Sequence, residues 1–360
     1  MFIAMELWNY GFHSDKLIVD RAINLRNLLG VEPNGFRRFF VVEKDVEMFL
    51  EACELKGLSM KTIGSYEQTL RLFMQHLYKI GIERTENVTH LTIQGYIQEI
   101  RRRGKYTAVT NQDARNYPEN RPDYGKQVSD VTINNYLRNL RVFFNWCVDE
   151  DILRKSPIKR GDFTKTDHKP LEFISDDDFK RLLRALDISK FSEYRDFVIV
   201  QLLLDTGMRI SECLMIKVND LNLVKRFIWL PAKNTKGKRG RSVFFSEKMA
   251  GQIRKWIKYK DRYRDSDFLF CTNNGKPLQA NNFEANVRKY AKRVGLKNVH
   301  PHVFRNNFAK RFLMNGGDIY TLSRILGHSS VTVTEQAYLD LTQEDLAELY
   351  RRHSPLKNMR

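Results

Sequence analysis

The sequence is poor in the residues that build fibrous or disulfide-bonded chains. Its 360 residues include 19 glycines, 9 prolines and 4 cysteines, too few for a collagen-like or low-complexity chain. Cys53, Cys147, Cys213 and Cys271 are far apart and form none of the close pairs that build zinc sites. We therefore expect reduced thiols in the core of a cytoplasmic protein.

No stretch of the chain is apolar for long enough to cross a bilayer. The most apolar stretch, 197–204, contains Gln201 and has less than half of the ~20 residues that a membrane-spanning helix needs. Residues 1–6 do not begin a basic segment followed by an apolar one, so no secretory signal is indicated. We expect no membrane partner.

Positive charge is in excess along the chain. There are 61 Lys and Arg residues against 43 Asp and Glu, a formal net charge of +18, while 42% of the residues are hydrophobic. That apolar content is sufficient for packed cores, and the length suggests two or three domains at ~100 to 200 residues each. A folded protein with this charge is expected to bind a polyanion.

Hydrophobic periodicity and charge divide the chain into five segments. We predict an N-terminal segment or arm at 1–40, a helical domain at 41–153, a basic linker at 154–172, a second domain at 173–341 and a C-terminal helix or tail at 342–360. In the first domain, apolar residues at i, i+3, i+4 spacing predict helices from Val42, after Ser59, from Thr92 and from near Thr132. A further helix is predicted at 15–29, and residues 104–128 lack any period and are predicted to form a loop.

The second domain is predicted to be mainly α with a small β-sheet. Ser175 precedes three aspartates and is a predicted N-cap. A helix ending at Thr206 is followed by Gly207, and strands at 227–230 and 241–245 are predicted to flank a lysine-rich turn.

Three motifs place cationic and protic side chains at predicted helix ends and turns. In the first, Gly207 permits a turn, Arg209 begins the next helix, and Glu212 is placed to brace the Arg209 guanidinium. The second is Lys236 at the tip of the strand pair. The third runs from His302 and Arg305, which share one helical face, through His328 to Tyr338.

Two guanidinium groups, from Arg209 and Arg305, would grip the nonbridging oxygens of one phosphate without a metal ion. Phosphoryl transfer also needs a nucleophile and a proton for the leaving oxygen. Tyr338 and Lys236 are candidates for these roles. Taken singly, each residue has a plainer interpretation: an ion-paired arginine, a helix-capping histidine or a core tyrosine.

Two stretches of one charge sign favour phosphate contacts. Residues 225–241 contain seven basic residues and no acid, and eight more basic residues lie between Glu284 and Asp318. A solvated protein surface usually mixes both signs.

Four blocks occur in order along the chain: DTGMRISE at 205–212, HPHVFRNNFA at 300–309, LGHSS at 326–330 and TEQAYL at 334–339. Together they resemble the phage-integrase family of tyrosine recombinases, and the resemblance extends from about Val42 to Leu341. The length and the added segments are similar to the transposase A branch of bacterial resistance transposons. Tyr338 follows His328 by ten residues, one more than is usual in the family.

The resemblance implies a site-specific recombinase in which a SAM-like core-binding domain and a catalytic domain form a C-shaped clamp on double-stranded DNA. It implies that the scissile phosphate is surrounded by Arg209, Lys236, His302, Arg305 and His328, and that Tyr338 forms a covalent 3′-phosphotyrosyl link. It also implies a homo-tetramer on paired sites, Holliday junction exchange and no cofactor or metal.

Other functions and partners remain open at this point. The same residues would serve a type IB topoisomerase-like enzyme, and a DNA-binding regulator without catalysis is the alternative from a different class. Helper transposition proteins are possible partners, and the tail at 342–360 is a candidate for docking into a neighbouring protomer.

Overall fold

The structure, a computed structural model, describes residues 41–108, 121–166, 172–235, 237, 239–328, 330–338 and 343–354. The chain divides into two compact units between His168 and Lys169. The helix predicted at 15–29 lies outside the described residues, and so does Lys236. The five predicted segment boundaries remain predictions.

The first unit is a helical bundle whose helices start within two residues of the predicted positions. Its elements are α1 (Val41–Leu55), α2 (Met60–Lys79), a 3-10 turn (Thr85–Asn87), α3 (His90–Arg103) and α4 (Asp130–Asp149). Side-chain caps start three of the helices: Ser59, Thr89 and Ser129 each accept a hydrogen bond from a backbone N–H in the first turn. Such caps satisfy donors that a helix N-terminus leaves unpaired.

Aromatic side chains fill the core of the first unit. Phe49 packs edge-on against Phe143 with ring centroids 5.5 Å apart, and Phe73 packs edge-on against Tyr96 at 5.0 Å. All four rings are buried. The helical periodicity of the sequence therefore marks core positions, as predicted.

Much of the predicted basic linker is packed against the first unit. Ile158 is buried and Phe163 packs on the same apolar core. Asn134 of α4 donates to the Thr164 carbonyl (2.8 Å) and accepts from the Thr164 N–H (3.1 Å). Two apolar residues are too few to show a period, which is why the sequence indicated only a solvated connector or a segment lying along a polyanion.

The second unit combines helices with a three-stranded antiparallel sheet. Its helices are α5 (Asp176–Arg184), α6 (Phe191–Thr206), α7 (Ile210–Leu214), α8 (Glu247–Tyr263), α9 (Ala280–Arg293), α10 (Pro301–Met314), α11 (Ile319–Leu326), α12 (Val331–Tyr338) and α13 (Gln343–His353). The strands β1 (Leu221–Asn222), β2 (Phe227–Leu230) and β3 (Arg241–Phe244) lie in that order. The mainly α fold with a small sheet is confirmed. Strand β1 was not predicted, because two residues carry no alternation.

The long helix α6 is the centre of the second unit. It packs against α8, α9 and α10, and its residues are buried on several sides. The helix ends at Thr206 and is capped by Gly207. Because α10 carries His302 and Arg305, this packing holds the third motif beside the first.

The C-terminal helix α13 contacts its own unit. Lys310 of α10 pairs with Asp345 of α13 at 2.6 Å. The predicted docking of this tail into a neighbouring protomer stays a prediction.

The sequence led us to expect reduced cysteines and no membrane-spanning helix. The four cysteines are buried free thiols. None of the helices within the described ranges combines the length and the apolar character that a membrane span requires.

Candidate active site

Two glycine turns form the frame of the site. Gly207 ends α6 with φ +64°, and Gly327 ends α11 with φ +66°. A side chain at either position would force a neighbour to move, because a Cβ would lie 2.3 Å from the ring of Phe308 at the first turn and 2.9 Å from the guanidinium of Arg241 at the second. Glycine therefore serves here both for the left-handed backbone and for the close approach.

Arg305 connects these two turns. Its Nη1 donates to the Gly207 carbonyl at 2.7 Å, and its Nη2 donates to the Leu326 carbonyl at 3.0 Å and to His328 Nε2 at 2.8 Å. The residue is buried. Two helix C-termini thus offer their carbonyl groups to one guanidinium, as expected for cations at helix ends. The contacts bring the Arg209 segment and the His328 segment together.

Glu212 braces Arg209, as the sequence predicted. The carboxylate is buried and accepts from Arg209 Nη1 at 3.1 Å and from the Arg209 backbone N–H at 2.9 Å. Arg241 forms a bidentate pair with the same carboxylate at 2.9 and 2.8 Å, and its Nε donates to the Ile325 carbonyl at 3.2 Å. Burial acts to raise the pKa of Glu212, but the hydrogen bonds and charges of Arg241 and Arg209 hold it below its usual value.

The surroundings of His328 favour its neutral form. Burial, followed by the positive charges of Arg305, Arg209 and Arg241, lowers its pKa to about 4. Its Nδ1 lies 2.7 Å from Thr334 Oγ1. A neutral imidazole next to three guanidinium groups can contribute a hydrogen bond without adding a further charge.

His302 lies at the second position of α10 with an exposed side chain. Partial desolvation and then the charges of Arg305, His300 and Arg209 lower its pKa. Its ring centroid is 6.3 Å from that of His300. An exposed histidine near these arginines, whose neutral form is favoured, is a candidate to accept a proton.

The other two predicted site residues remain predictions. Lys236 lies outside the described residues. Of the described residues near it in sequence, Thr235 donates from its Oγ1 to the Arg239 carbonyl at 2.8 Å and accepts from the Arg239 N–H at 3.1 Å. Tyr338 is the last residue of α12, and its side chain is not among those that the structure describes.

Part of the predicted phosphate-binding charge is neutralised within the protein. In the second basic stretch, Arg293 forms a bidentate pair with Glu193 at 2.7 and 2.9 Å. Arg311 pairs with Asp176 at 2.5 Å, and Lys310 is paired with α13. The expectation that the whole stretch contacts phosphates was too broad, because the acidic partners come from distant parts of the chain.

Two residues of the site were missed by sequence reasoning. Arg241 was counted only as one charge of a basic stretch, and Thr334 was read only as part of a motif. Neither carries a local signal, since their partners are 29 and 6 positions away in sequence.

Comparisons with known proteins agree with this geometry. Residues 172–345 match the phage integrase family, and residues 46–115 match the phage integrase N-terminal SAM-like domain. The tyrosine recombinase XerC of Thermodesulfovibrio yellowstonii is 28% identical over 309 residues, which cover 84% of this chain and 92% of XerC. The tyrosine recombinase XerD of Staphylococcus haemolyticus is 24% identical over 327 residues, 87% of this chain and 99% of XerD.

A solved structure shares the fold. The Tn1549 transposon integrase in complex with a circular intermediate DNA has a TM-score of 0.65 and 19% identity, covering 86% of this chain and 98% of that one. The chain belongs to the phage integrase family and is a tyrosine recombinase. The narrower resemblance to transposase A stays a prediction.

Proposed function

We propose that this recombinase breaks and rejoins duplex DNA at specific sites through a 3′-phosphotyrosyl intermediate on Tyr338. The observation that carries the proposal is Arg305, which joins the turn before Arg209 to the turn at His328. The DNA in the Tn1549 integrase complex supports the same partner for this chain.

Arg209 and Arg305 would bind the scissile phosphate. The side chain of Arg209 is 21% exposed, and within the described residues its guanidinium donates only to Glu212 through Nη1. The remaining N–H groups of that planar fork suit two oxygens of one phosphate. Fixed positive charge at these oxygens stabilises the charge that develops in the transition state.

The cleavage step is a transesterification. The hydroxyl oxygen of Tyr338 attacks phosphorus, so a tyrosyl O–P bond forms while the bond from phosphorus to the 5′ oxygen breaks. His302 would accept the proton of the tyrosine, and Lys236 would give a proton to the leaving 5′ oxygen. The phosphodiester becomes a phosphotyrosine of similar energy, so a 5′-hydroxyl of a partner strand can reverse the step.

Assembly follows from the same proposal. The helical unit and the catalytic unit would enclose the duplex as a C-shaped clamp, with unpaired basic side chains on the backbone. Four protomers on two recombination sites would exchange strands in pairs through a Holliday junction. Helper transposition proteins are possible further partners.

A nicked suicide duplex tests the nucleophile. The site is first identified by sequencing the junctions formed in cells with and without the active protein. Wild-type protein is then mixed with a duplex nicked near the cleavage point, where loss of a short 5′-hydroxyl strand traps the intermediate. We expect a covalent protein–DNA adduct with wild type and none with Tyr338→Phe.

Tyr263→Phe is the matched control, since Tyr263 is exposed at the end of α8 and should leave adduct formation unchanged. An adduct that persists in Tyr338→Phe contradicts the proposed nucleophile. Relaxation of a supercoiled plasmid without strand exchange between two sites would instead indicate a type IB topoisomerase-like activity.

A further inference from the structure

Among the described side chains of helix α12, one that is polar is buried beside His328. Among its described side chains, at 331–335, Thr334 alone is buried, with 0% of its surface exposed, whereas Thr332, Val333 and Glu335 are exposed. The hydroxyl of Thr334 lies 2.7 Å from His328 Nδ1. A buried hydroxyl is costly unless it makes such a hydrogen bond.

The contacts of His328 define where its proton lies. A guanidinium can only donate, so His328 Nε2 accepts from Arg305 Nη2 at 2.8 Å. A neutral ring then carries its proton on Nδ1, which donates to Thr334 Oγ1. In this arrangement Nε2 has no proton to offer to a phosphate oxygen.

A threonine hydroxyl suits both tautomers of the ring. It accepts from Nδ1–H in the arrangement described, and after rotation it donates to a bare Nδ1, which leaves the proton on Nε2. Water balances the exchange, because Nε2 takes a proton from water and Nδ1 returns one to water. Valine has the same shape as threonine but no hydroxyl, so it can form a hydrogen bond with neither tautomer of the ring.

The same hydrogen bond reaches the helix of the proposed nucleophile. Thr334 and Tyr338 are four positions apart on α12, which places their backbones about one turn, or ~6 Å, apart along the axis. A bond at Thr334 therefore fixes the helix that ends at Tyr338 relative to His328.

We propose that Thr334 is a positioning residue for DNA cleavage: its hydroxyl holds the ring of His328 through Nδ1 and switches from acceptor to donor when His328 turns an Nε2–H toward the scissile phosphate. This inference rests on the proposed function of the site. It assigns Thr334 no contact with DNA.

Three variants separate the hydroxyl from its surroundings. Thr334→Val removes the hydroxyl and keeps the shape, Thr334→Ser keeps the hydroxyl, and Thr332→Val changes an exposed threonine of the same helix. In the free full-length protein, the ring nitrogens of His328 are observed by ¹⁵N NMR and assigned with His328→Gln. We expect the Nδ1–H tautomer in all four proteins, because Arg305 donates to Nε2 in each of them. In Thr334→Val alone, Nδ1–H loses its acceptor, so its resonance should shift and its exchange with water should become faster.

Cleavage is measured with the nicked duplex at saturating protein. We expect the adduct to form ~10- to 100-fold more slowly in Thr334→Val, as for residues that orient metal-bound histidines. Thr334→Ser should stay within about threefold of wild type, and DNA affinity should be unchanged in all three variants.

Two results would overturn the proposal: a Thr334→Val protein with the wild-type Nδ1–H resonance and the wild-type rate, or a Thr334→Ser protein as slow as Thr334→Val, which would indicate packing. If wild type itself forms no adduct, the proposed function fails. The NMR spectra then decide whether the Thr334 hydroxyl accepts from His328 Nδ1–H.

Discussion

The catalytic unit contains two buried clusters of arginine and carboxylate that differ in one respect. The Asp196 cluster consists of Arg195, Asp196, Asn286 and Tyr290. The Glu212 cluster consists of Arg209, Glu212 and Arg241. In both, a carboxylate with a fully buried side chain pairs with arginine, so burial and ion pairing alone do not distinguish them.

The Asp196 cluster is closed by protein groups. Arg195 donates to Asp196 at 2.9 and 2.8 Å and to the Cys271 carbonyl at 3.0 Å. Asn286 and Tyr290 donate to the second oxygen of Asp196 at 2.8 and 2.9 Å. Each group has its partner within the core, which is the pattern of a structural network.

The Glu212 cluster has two guanidinium groups for one carboxylate. Arg195 has a side-chain exposure of 4%, against 21% for Arg209. The pKa values differ in direction as well: burial raises the pKa of Asp196 despite Arg195, whereas Arg241 and Arg209 hold that of Glu212 down. An excess of positive charge together with a partly exposed guanidinium, that of Arg209, is the combination expected of a phosphate-binding site.

The largest expected effect is on stability, in the closed cluster. Asp196→Ala leaves Arg195, Asn286 and Tyr290 without their acceptor in the core, and we expect it to lower the free energy of unfolding by about 3–5 kcal/mol. Urea unfolding of the full chain measures this. Asp177→Ala, which removes an exposed partner of Lys180, should cost under ~1 kcal/mol. Equal costs for the two variants would show that the Asp196 cluster is not a structural network.

The next effect is on catalysis, in the open cluster. Arg209→Ala should slow adduct formation ~100- to 1,000-fold, by analogy with loss of one oxyanion donor. Its free energy of unfolding should change little, because Glu212 keeps its bidentate pair with Arg241. Rates on the nicked duplex and urea unfolding measure the two quantities. Near-normal cleavage by Arg209→Ala would show that Arg209 does not bind the scissile phosphate.

The smallest effect is a pH dependence of stability at His328. Its pKa is about 4 in the folded chain against a usual 6.5, so between these values the unfolded chain binds more protons than the folded one. Stability from this group is fully present above pH 6.5 and is lost as pH falls toward 4. Thermal unfolding over this range should show a shallower slope for His328→Gln than for wild type. Parallel slopes would mean that the pKa of His328 is not lowered.

Much of the fold could be predicted from local pattern. The Ser175 cap, the Gly207 turn and strand β2 all occur where residue type and spacing indicated. Each depends on neighbours within a few positions, so the physical cause is visible in a short window. Strand β1 and the packed part of the linker were missed because each rests on one or two apolar residues.

The candidate site was predicted in part for the same reason. Arg209 and its brace Glu212 are three positions apart, so one helical turn joins them. Arg241 reaches Ile325 across 84 positions and Arg305 reaches Gly207 across 98. Contacts between residues so far apart in sequence depend on how whole helices pack, and a short stretch of sequence does not contain that information.

The sequence by itself determined the family, the order of the motifs and the excess of positive charge. The tertiary structure alone decided how that charge is used: Arg293 and Arg311 are neutralised by distant carboxylates, Arg241 holds Glu212, and Arg305 joins two turns. The physical reason is that charge is a property of a residue type. Whether that charge is paired, buried or free to meet a phosphate depends on which other side chains the fold brings within a few ångströms.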